Sequence, residues 1–293
     1  MKNVAFVFKN LYNIAMDKNN KVILITGASS GIGRDIAYTL AKQGYKVFAG
    51  IRRKIDKVEL ENLNKNITGV YIDVSSQSSI EKAFWFVMKN TNKIDVLINN
   101  AGIVCAGPVE CLSINKIKEQ FDINTFGPVL VTQRFMPLLN NSKIINISSM
   151  AATGIFPFIS MYCASKRALD IIFNSFAIEN KDKIKVVSIK PASIKTPIWN
   201  KSVKVAKETF TDVSDAVKSK YQNEILALEK NALQNNTKGI NVREVTNTVL
   251  KVINSNNPNP SYNVGFASCV AELLSHLPLN LLNYLIKIKL KNM

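Results

Sequence analysis

At 293 residues, 47% hydrophobic and 20% charged, the chain has the composition of a globular protein with a sizeable core, and low-complexity or disordered classes are excluded. Its net charge of +17 comes from lysines spread along an Asn-rich sequence, without a compact basic block or an aromatic-basic motif, which argues against nucleic acid as a partner. One histidine, His276, and four cysteines, Cys105, Cys111, Cys163 and Cys269, in no ligand spacing argue against a metal site and against any triad that needs histidine as its base; the thiols read as reduced.

Residues 1–20 read as an N-terminal extension. Their apolar run, Val4-Ala5-Phe6-Val7-Phe8, is too short for a signal-peptide core and far too short to span a bilayer. No apolar stretch of roughly 18 residues follows, so a cytoplasmic location is the default expectation. From Lys21 onward, short β-branched runs alternate with helical patterns. Strands are predicted at 22–26, 46–50, 69–72, 96–99, 143–148 and 185–190, largely apolar and flanked by polar residues or glycine, as buried parallel strands are. Helices are predicted at 33–42, 78–89, 114–139 and 162–180, with Gly44 as the stop of the first. This alternation predicts an α/β fold: a Rossmann-like, doubly wound parallel sheet forming a single domain over 21–270. Within it, 198–240 is charged and helical and predicts a helical substrate lid. Residues 254–260 read as a turn-rich loop and 262–265 as a last short strand. The tail, 271–293, is predicted as a basic amphipathic helix in which Leu281, Leu282, Leu285, Ile286 and Ile288 accompany Lys287, Lys289 and Lys291.

Three local patterns carry chemistry. Thr26-Gly27-Ala28-Ser29-Ser30-Gly31-Ile32-Gly33 follows a strand and opens a helix. Glycines there permit a tight turn and close approach to a pyrophosphate, and the helix start offers free N–H groups to the anion. At the end of the second strand the chain reads Ile51-Arg52-Arg53, where an acidic residue would select the ribose hydroxyls of NAD. Guanidinium groups suit a 2′-phosphate, so NADP(H) is favoured and NAD(H) stays open. Finally, Tyr162 and Lys166 stand four residues apart on one helical face, thirteen residues beyond Ser149 at the end of a strand. A cation beside a phenol favours the phenolate, which predicts a lowered Tyr162 pKa and a residue able to exchange a proton with a hydroxyl or carbonyl.

In this order and context the motifs resemble those of the short-chain dehydrogenase/reductase family, in the subgroup with TGxxxGxG spacing. The resemblance is firm over about 21–200, through Thr26–Gly33, Asp73-Val74, Asn99-Asn100-Ala101-Gly102, Asn124, Ile147-Ser148-Ser149, Tyr162/Lys166 and Pro191 through Thr196. It implies four catalytic residues. Tyr162 is the acid/base, Lys166 lowers its pKa and holds the nicotinamide ribose, Ser149 (rather than Ser148) polarises the carbonyl, and Asn124 helps hold a water relay. Cofactor contacts are implied for Gly27, Ser29, Ser30, Gly31, Ile32, Gly33, Arg52, Arg53, Asp73, Val74, Asn100, Ala101, Gly102, Tyr162, Lys166, Pro191, Ile194 and Thr196. Asp73 and Val74 are expected at the adenine, Asn100 at its ribose, and Ile194 and Thr196 on the nicotinamide side. A homodimer or homotetramer built on the helices containing Asn124 and Tyr162 is implied as well. One departure is Ala192, where the family usually has glycine after the proline; a methyl there resists a positive φ.

The reading that follows is an NADP(H)-dependent alcohol dehydrogenase or carbonyl reductase. Apolar Ile155, Phe156, Phe158 and Met161 suit a lipophilic substrate, and Tyr262-Asn263-Val264-Gly265 with the basic tail is loosely similar to steroid and retinol dehydrogenase-like members. A non-catalytic dinucleotide-binding sensor or scaffold is the alternative. The two terminal apolar segments leave peripheral membrane contact open beside packing on the domain or on another subunit.

Overall fold

The computed structural model describes residues 21–180, 183–211 and 213–291; the apolar run Val4–Phe8 of the N-terminal extension lies outside them. Among the described residues, seven strands form one sheet: β1 (Val22–Ile25), β2 (Lys46–Ile51), β3 (Ile67–Tyr71), β4 (Val96–Asn99), β5 (Lys143–Ile147), β6 (Lys185–Pro191) and β7 (Ser261–Val264). They pair in the order β3-β2-β1-β4-β5-β6-β7, all parallel, with register such as Leu24 opposite Phe48 on one side and Leu97 on the other. The predicted doubly wound sheet is therefore present.

Central strands read as unbroken apolar runs because both faces are covered. Along β1 every residue is buried, and successive side chains enter opposite layers. Ile23 and Ile25 meet α1 (Gly31–Lys42), α2 (Lys54–Leu63) and α9 (Val242–Asn254). Val22 and Leu24 meet α3 (Gln77–Asn90), α5 (Gly127–Phe135) and α6 (Ser160–Glu179). Helix α9 contributes Val245, Val249, Val252 and Ile253, each fully buried. At about 1.5–3 kcal/mol per such side chain, that stripe holds the helix on the sheet. Its start is capped by Asn241, whose Oδ1 accepts from Arg243 N (2.9 Å). At its far end, Lys143 Nζ donates to the carbonyls of Val252, Ile253 and Ser255 (3.0, 2.8 and 2.6 Å), groups that no later turn of helix can satisfy.

The remaining helices are α4 (Ile114–Phe121), α7 (Ile198–Thr211), α8 (Asp215–Lys238), α10 (Phe266–Leu274) and α11 (Leu279–Lys291). Helices α2 and α9 have no counterpart among the predicted elements, although the 245/249/252/253 spacing of α9 is a plain helical period. The single helix predicted over 271–293 is corrected: α10 starts earlier and ends at Leu274, and α11 begins only after Pro278, which cannot continue a helix. The single helix predicted over 114–139 is corrected. It is split by a wide turn at Asp122–Phe126 of the i→i+5 type, and it gives way to a 3₁₀ turn at Met136–Leu138. The chain winds from β1 to one edge through β2 and β3, and from β4 to the other edge. The crevice at this reversal, at the carboxyl ends of β1 and β4, is where open α/β sheets take ligands.

Candidate active site

The glycine-rich turn leaves β1 at this crevice. Gly27 (φ 67°) and Gly31 (φ 56°) adopt left-handed backbone, and a Cβ at Gly27 would stand 2.8 Å from Ala101 Cα. Asn100 locks the turn: its Nδ2 donates to the carbonyls of Thr26 and Gly27 (2.9 and 3.0 Å). Thr26 Oγ1 in return accepts from the N–H groups of Asn100 and Ala101 (both 3.1 Å). The Asn100 amide thus shapes the loop along which the cofactor is expected. Beyond the turn, Ser30 begins α1 without a side-chain cap, and no acidic residue occupies the first turn. Those first N–H groups have no partner in the helix, so the donor set and the dipole fit a pyrophosphate. Ser29, Ser30, Gly31 and Ile32 are all partly exposed around it.

The two arginines after β2 differ. Arg53 is committed to Asp56, with Nε and Nη2 donating at 2.9 and 2.5 Å across the first turn of α2. That hydrogen bond, outweighing burial, holds the Asp56 carboxyl below its usual range. Arg52 is exposed and makes no side-chain hydrogen bond or ion pair among the described residues. Asp73 lies near it. Burial pushes the Asp73 carboxyl up, but hydrogen bonds from Ser75 N and Oγ to its Oδ1 (3.0 and 2.7 Å) and the Arg52 charge bring it below the ordinary range. Val74, expected at the adenine, is buried against Gly127 in the core layer.

At the end of β5 the two serines diverge. Ser148 is buried toward Asp170, whereas Ser149 opens a 3₁₀ turn and interacts with the Tyr162 hydroxyl. Tyr162 and Lys166 leave α6 one turn apart. Lys166 is 4% exposed and donates from Nζ to the Ile147 carbonyl (2.8 Å). Burial lowers its pKa to about 8, against the pull of Asp170 one turn further on. The expected depression of the phenol is not found: burial pushes Tyr162 up to about 12, and the hydrogen bond from Ser149 offsets only part of it. The reason is geometric, because the ammonium is held on a β5 carbonyl and does not rank among the influences on the phenol.

Asn124 sits inside the wide turn, fully buried. Its Oδ1 accepts from Ile103 N and its Nδ2 donates to Ile103 O (both 2.9 Å), while Nδ2 also reaches Ser165 Oγ (3.1 Å). This clamps the loop after β4 to α6. Gly102 lies in the same knot, where a Cβ would stand 3.3 Å from Asn124 Oδ1 and 3.4 Å from Lys166 Nζ. A helix widened by one residue re-aims a side chain, as i→i+5 turns at functional sites do.

After β6, Ala192 replaces the expected glycine without strain: it is not among the positive-φ residues, and its N–H donates to Val264 O (2.9 Å). Pro191 ends β6, and Thr196 lies with its methyl 3.2 Å from where a Gly31 Cβ would be. Ile194 is buried in the core and its carbonyl accepts from the Trp199 indole (2.7 Å). On the opposite wall, Phe158 holds φ at 67°, unusual for a bulky side chain, and stacks edge-on against Tyr221 of α8 (6.3 Å, 78°). Tyr221 OH and Lys220 Nζ (2.6 Å) both donate to Glu110, so α8 is tied to the loop before α4. The sequence reading missed this latch, which no spacing announces. It also missed Asp170, which the Tyr162, Lys166, Asp170 spacing could have flagged.

A family model described as short chain dehydrogenase matches residues 21–207. The NADPH-dependent 3-dehydrocapnine reductase of Ornithobacterium rhinotracheale is 33% identical over 61% of this chain and 67% of its own length. The 3-ketodihydrosphingosine reductase of Bacteroides thetaiotaomicron is 30% identical over 92% of this chain and 97% of its own. Among solved structures, a short chain dehydrogenase/reductase of Burkholderia phymatum in complex with NAD superposes with a TM-score of 0.74 at 20% identity, covering 87% of this chain and 92% of that one.

Proposed function

This chain belongs to the short-chain dehydrogenase family of oxidoreductases, and from that premise we propose that it is an NADP(H)-dependent enzyme interconverting an alcohol with a ketone or aldehyde on a lipophilic molecule. The observation that carries the reading is the convergence of Ser149, Tyr162 and Lys166 beside the glycine-rich turn, with Lys166 anchored on Ile147 and Asn124 clamping the adjoining loop. A nicotinamide dinucleotide held along that turn would supply the hydride for carbonyl reduction, or take it up in the reverse direction.

In reduction, Tyr162 donates its phenolic proton to the carbonyl oxygen as that oxygen gains charge. In the resting site burial keeps the phenol protonated, so the proton to be given is in place. Ser149 donates a hydrogen bond to the same oxygen, which strengthens as charge develops. Lys166, held on the Ile147 carbonyl at the base of the site, would present its ammonium to the nicotinamide ribose. Arg52 would hold the 2′-phosphate, and the free N–H groups of α1 would hold the pyrophosphate. Phe158, stacked edge-on against Tyr221 of α8, and half-exposed Ile155 offer apolar surface to a substrate, with the helices α7 and α8 serving as the lid. The two curated relatives are both named as reductases, one of them NADPH-dependent, which supports the direction and the cofactor.

The test is Tyr162→Phe. NADPH binding should stay within a few-fold while turnover of ketone substrates falls by roughly 10²–10⁴. Unchanged turnover would sink the mechanism, and loss of cofactor binding with intact folding would move Tyr162 from chemistry to binding.

A further inference from the structure

The C-terminal helices turn apolar residues away from the sheet. On α10, Phe266 and Leu273, 84% and 72% exposed, lie two turns apart on one face. On α11, exposed Leu281, Tyr284, Leu285 and Ile288 follow the i, i+3, i+4, i+7 spacing of a single stripe. A surface helix of a globular domain buries such a stripe against its core. Here Leu282 and Ile286 take the partly buried side, so the outward stripe has no partner among the described residues.

Charge narrows what covers it. From Ser275 to the end of the chain there is no Asp or Glu, and Lys287, Lys289 and Lys291 fall at the end of α11. Glu272, the one acid on α10, is paired with Lys190 (3.1 Å), so the stripe of α11 is accompanied by positive charge alone and matches the boundary of an anionic bilayer. The acyl region takes the stripe, and headgroup phosphates take ammonium groups whose stems lie along the apolar surface. No helix among the described residues is long and apolar enough to cross a membrane, so α11 suits lying in the interface plane. A groove of about 440 Å³, lined by Ala152, Ile155, Cys163, Leu279 and Leu282 among others, separates α11 from the segment after Ser149.

The geometry points to peripheral docking of this protein, through the α10–α11 face, on an anionic lipid surface. The experiment is sedimentation of the full chain with phosphatidylcholine vesicles, with and without phosphatidylglycerol. It is repeated for a Leu281→Asn/Tyr284→Asn/Leu285→Asn variant and for Lys287→Glu, with melting temperature and NADPH binding recorded as folding controls. Binding is expected only with phosphatidylglycerol. It should weaken with salt, fall on the order of tenfold in Lys287→Glu, and disappear in the triple variant. Three results overturn the inference. One is no vesicle binding by the wild type, and a second is undiminished binding by the triple variant, which would assign it to another segment. The third is a triple variant that changes only the oligomeric state in sedimentation equilibrium, which would make the face a contact between copies of the chain.

Discussion

Arg52 and Arg53 are neighbours in sequence and unequal in structure, and the inequality can be measured. The guanidinium of Arg53 is spent on Asp56, whose side chain is only 6% exposed, while Arg52 has no such commitment. Replacing Arg52 by Ala breaks no hydrogen bond or ion pair among the described residues and removes only its electrostatic pull on Asp73, so stability should stay within about 0.5 kcal/mol. It does remove a charge-assisted partner for a 2′-phosphate. Such a contact is worth about 1.5–3 kcal/mol, and solvent at this exposed site favours the lower figure. At 1.4 kcal/mol per decade, the NADPH Kd should rise roughly tenfold. The NADH Kd, which involves no 2′-phosphate, should change by less than about twofold. Arg53→Ala should behave inversely: Asp56 loses its partner at the start of α2, the melting temperature drops by a few degrees, and the NADPH/NADH ratio holds. Fluorescence titration with both dinucleotides and differential scanning calorimetry on three proteins suffice. If Arg53→Ala lost NADPH selectivity more than Arg52→Ala, or if Arg52→Ala weakened NADH equally, the division of roles argued here would be wrong.

Three further outcomes are expected. Lys166 loses its proton near pH 8 in the free protein, so kcat/KM for NADPH should be flat below that pH and fall about tenfold per unit above it, with Tyr162 still protonated throughout; a profile flat to pH 10 would contradict the depressed ammonium. Asn124→Ala leaves the Ile103 N–H and C=O without their buried partner, which should lower the melting temperature by roughly 5–10 °C and reduce kcat; an unchanged calorimetric transition would show that the clamp contributes nothing. Glu110→Ala unlatches Lys220 and Tyr221 at the surface, so stability should hold while KM for an apolar ketone shifts several-fold; an unshifted KM with every substrate tried would detach α8 from substrate binding.

Much of this molecule was legible before any coordinates. Strands such as β1 and β5 are buried on both faces, and unbroken runs of Ile, Val and Leu reveal them without a tertiary context. The glycine turn, the Tyr162/Lys166 pair and Ser149 are likewise local patterns, because backbone sterics and helical period act within a few residues. Other features depend on what a residue meets across the fold. Asn124 lies in what reads as one continuous helix, and the reciprocal pairing with Ile103 is seen only once the loop after β4 packs on α6. The pKa of Tyr162 was expected to fall through its helical neighbour. It rises because burial in the assembled crevice outweighs any local influence. Arg52 and Arg53 look alike until Asp56 is placed beside one of them. The apolar stripe of α11 is visible as a period, but which way it faces is set by how the tail lies beside the segment after Ser149 and α6. Local sterics and hydrophobic period are written into the chain itself; charge, burial and orientation at a site are sums over neighbours distant in sequence, and only the packed structure performs that sum.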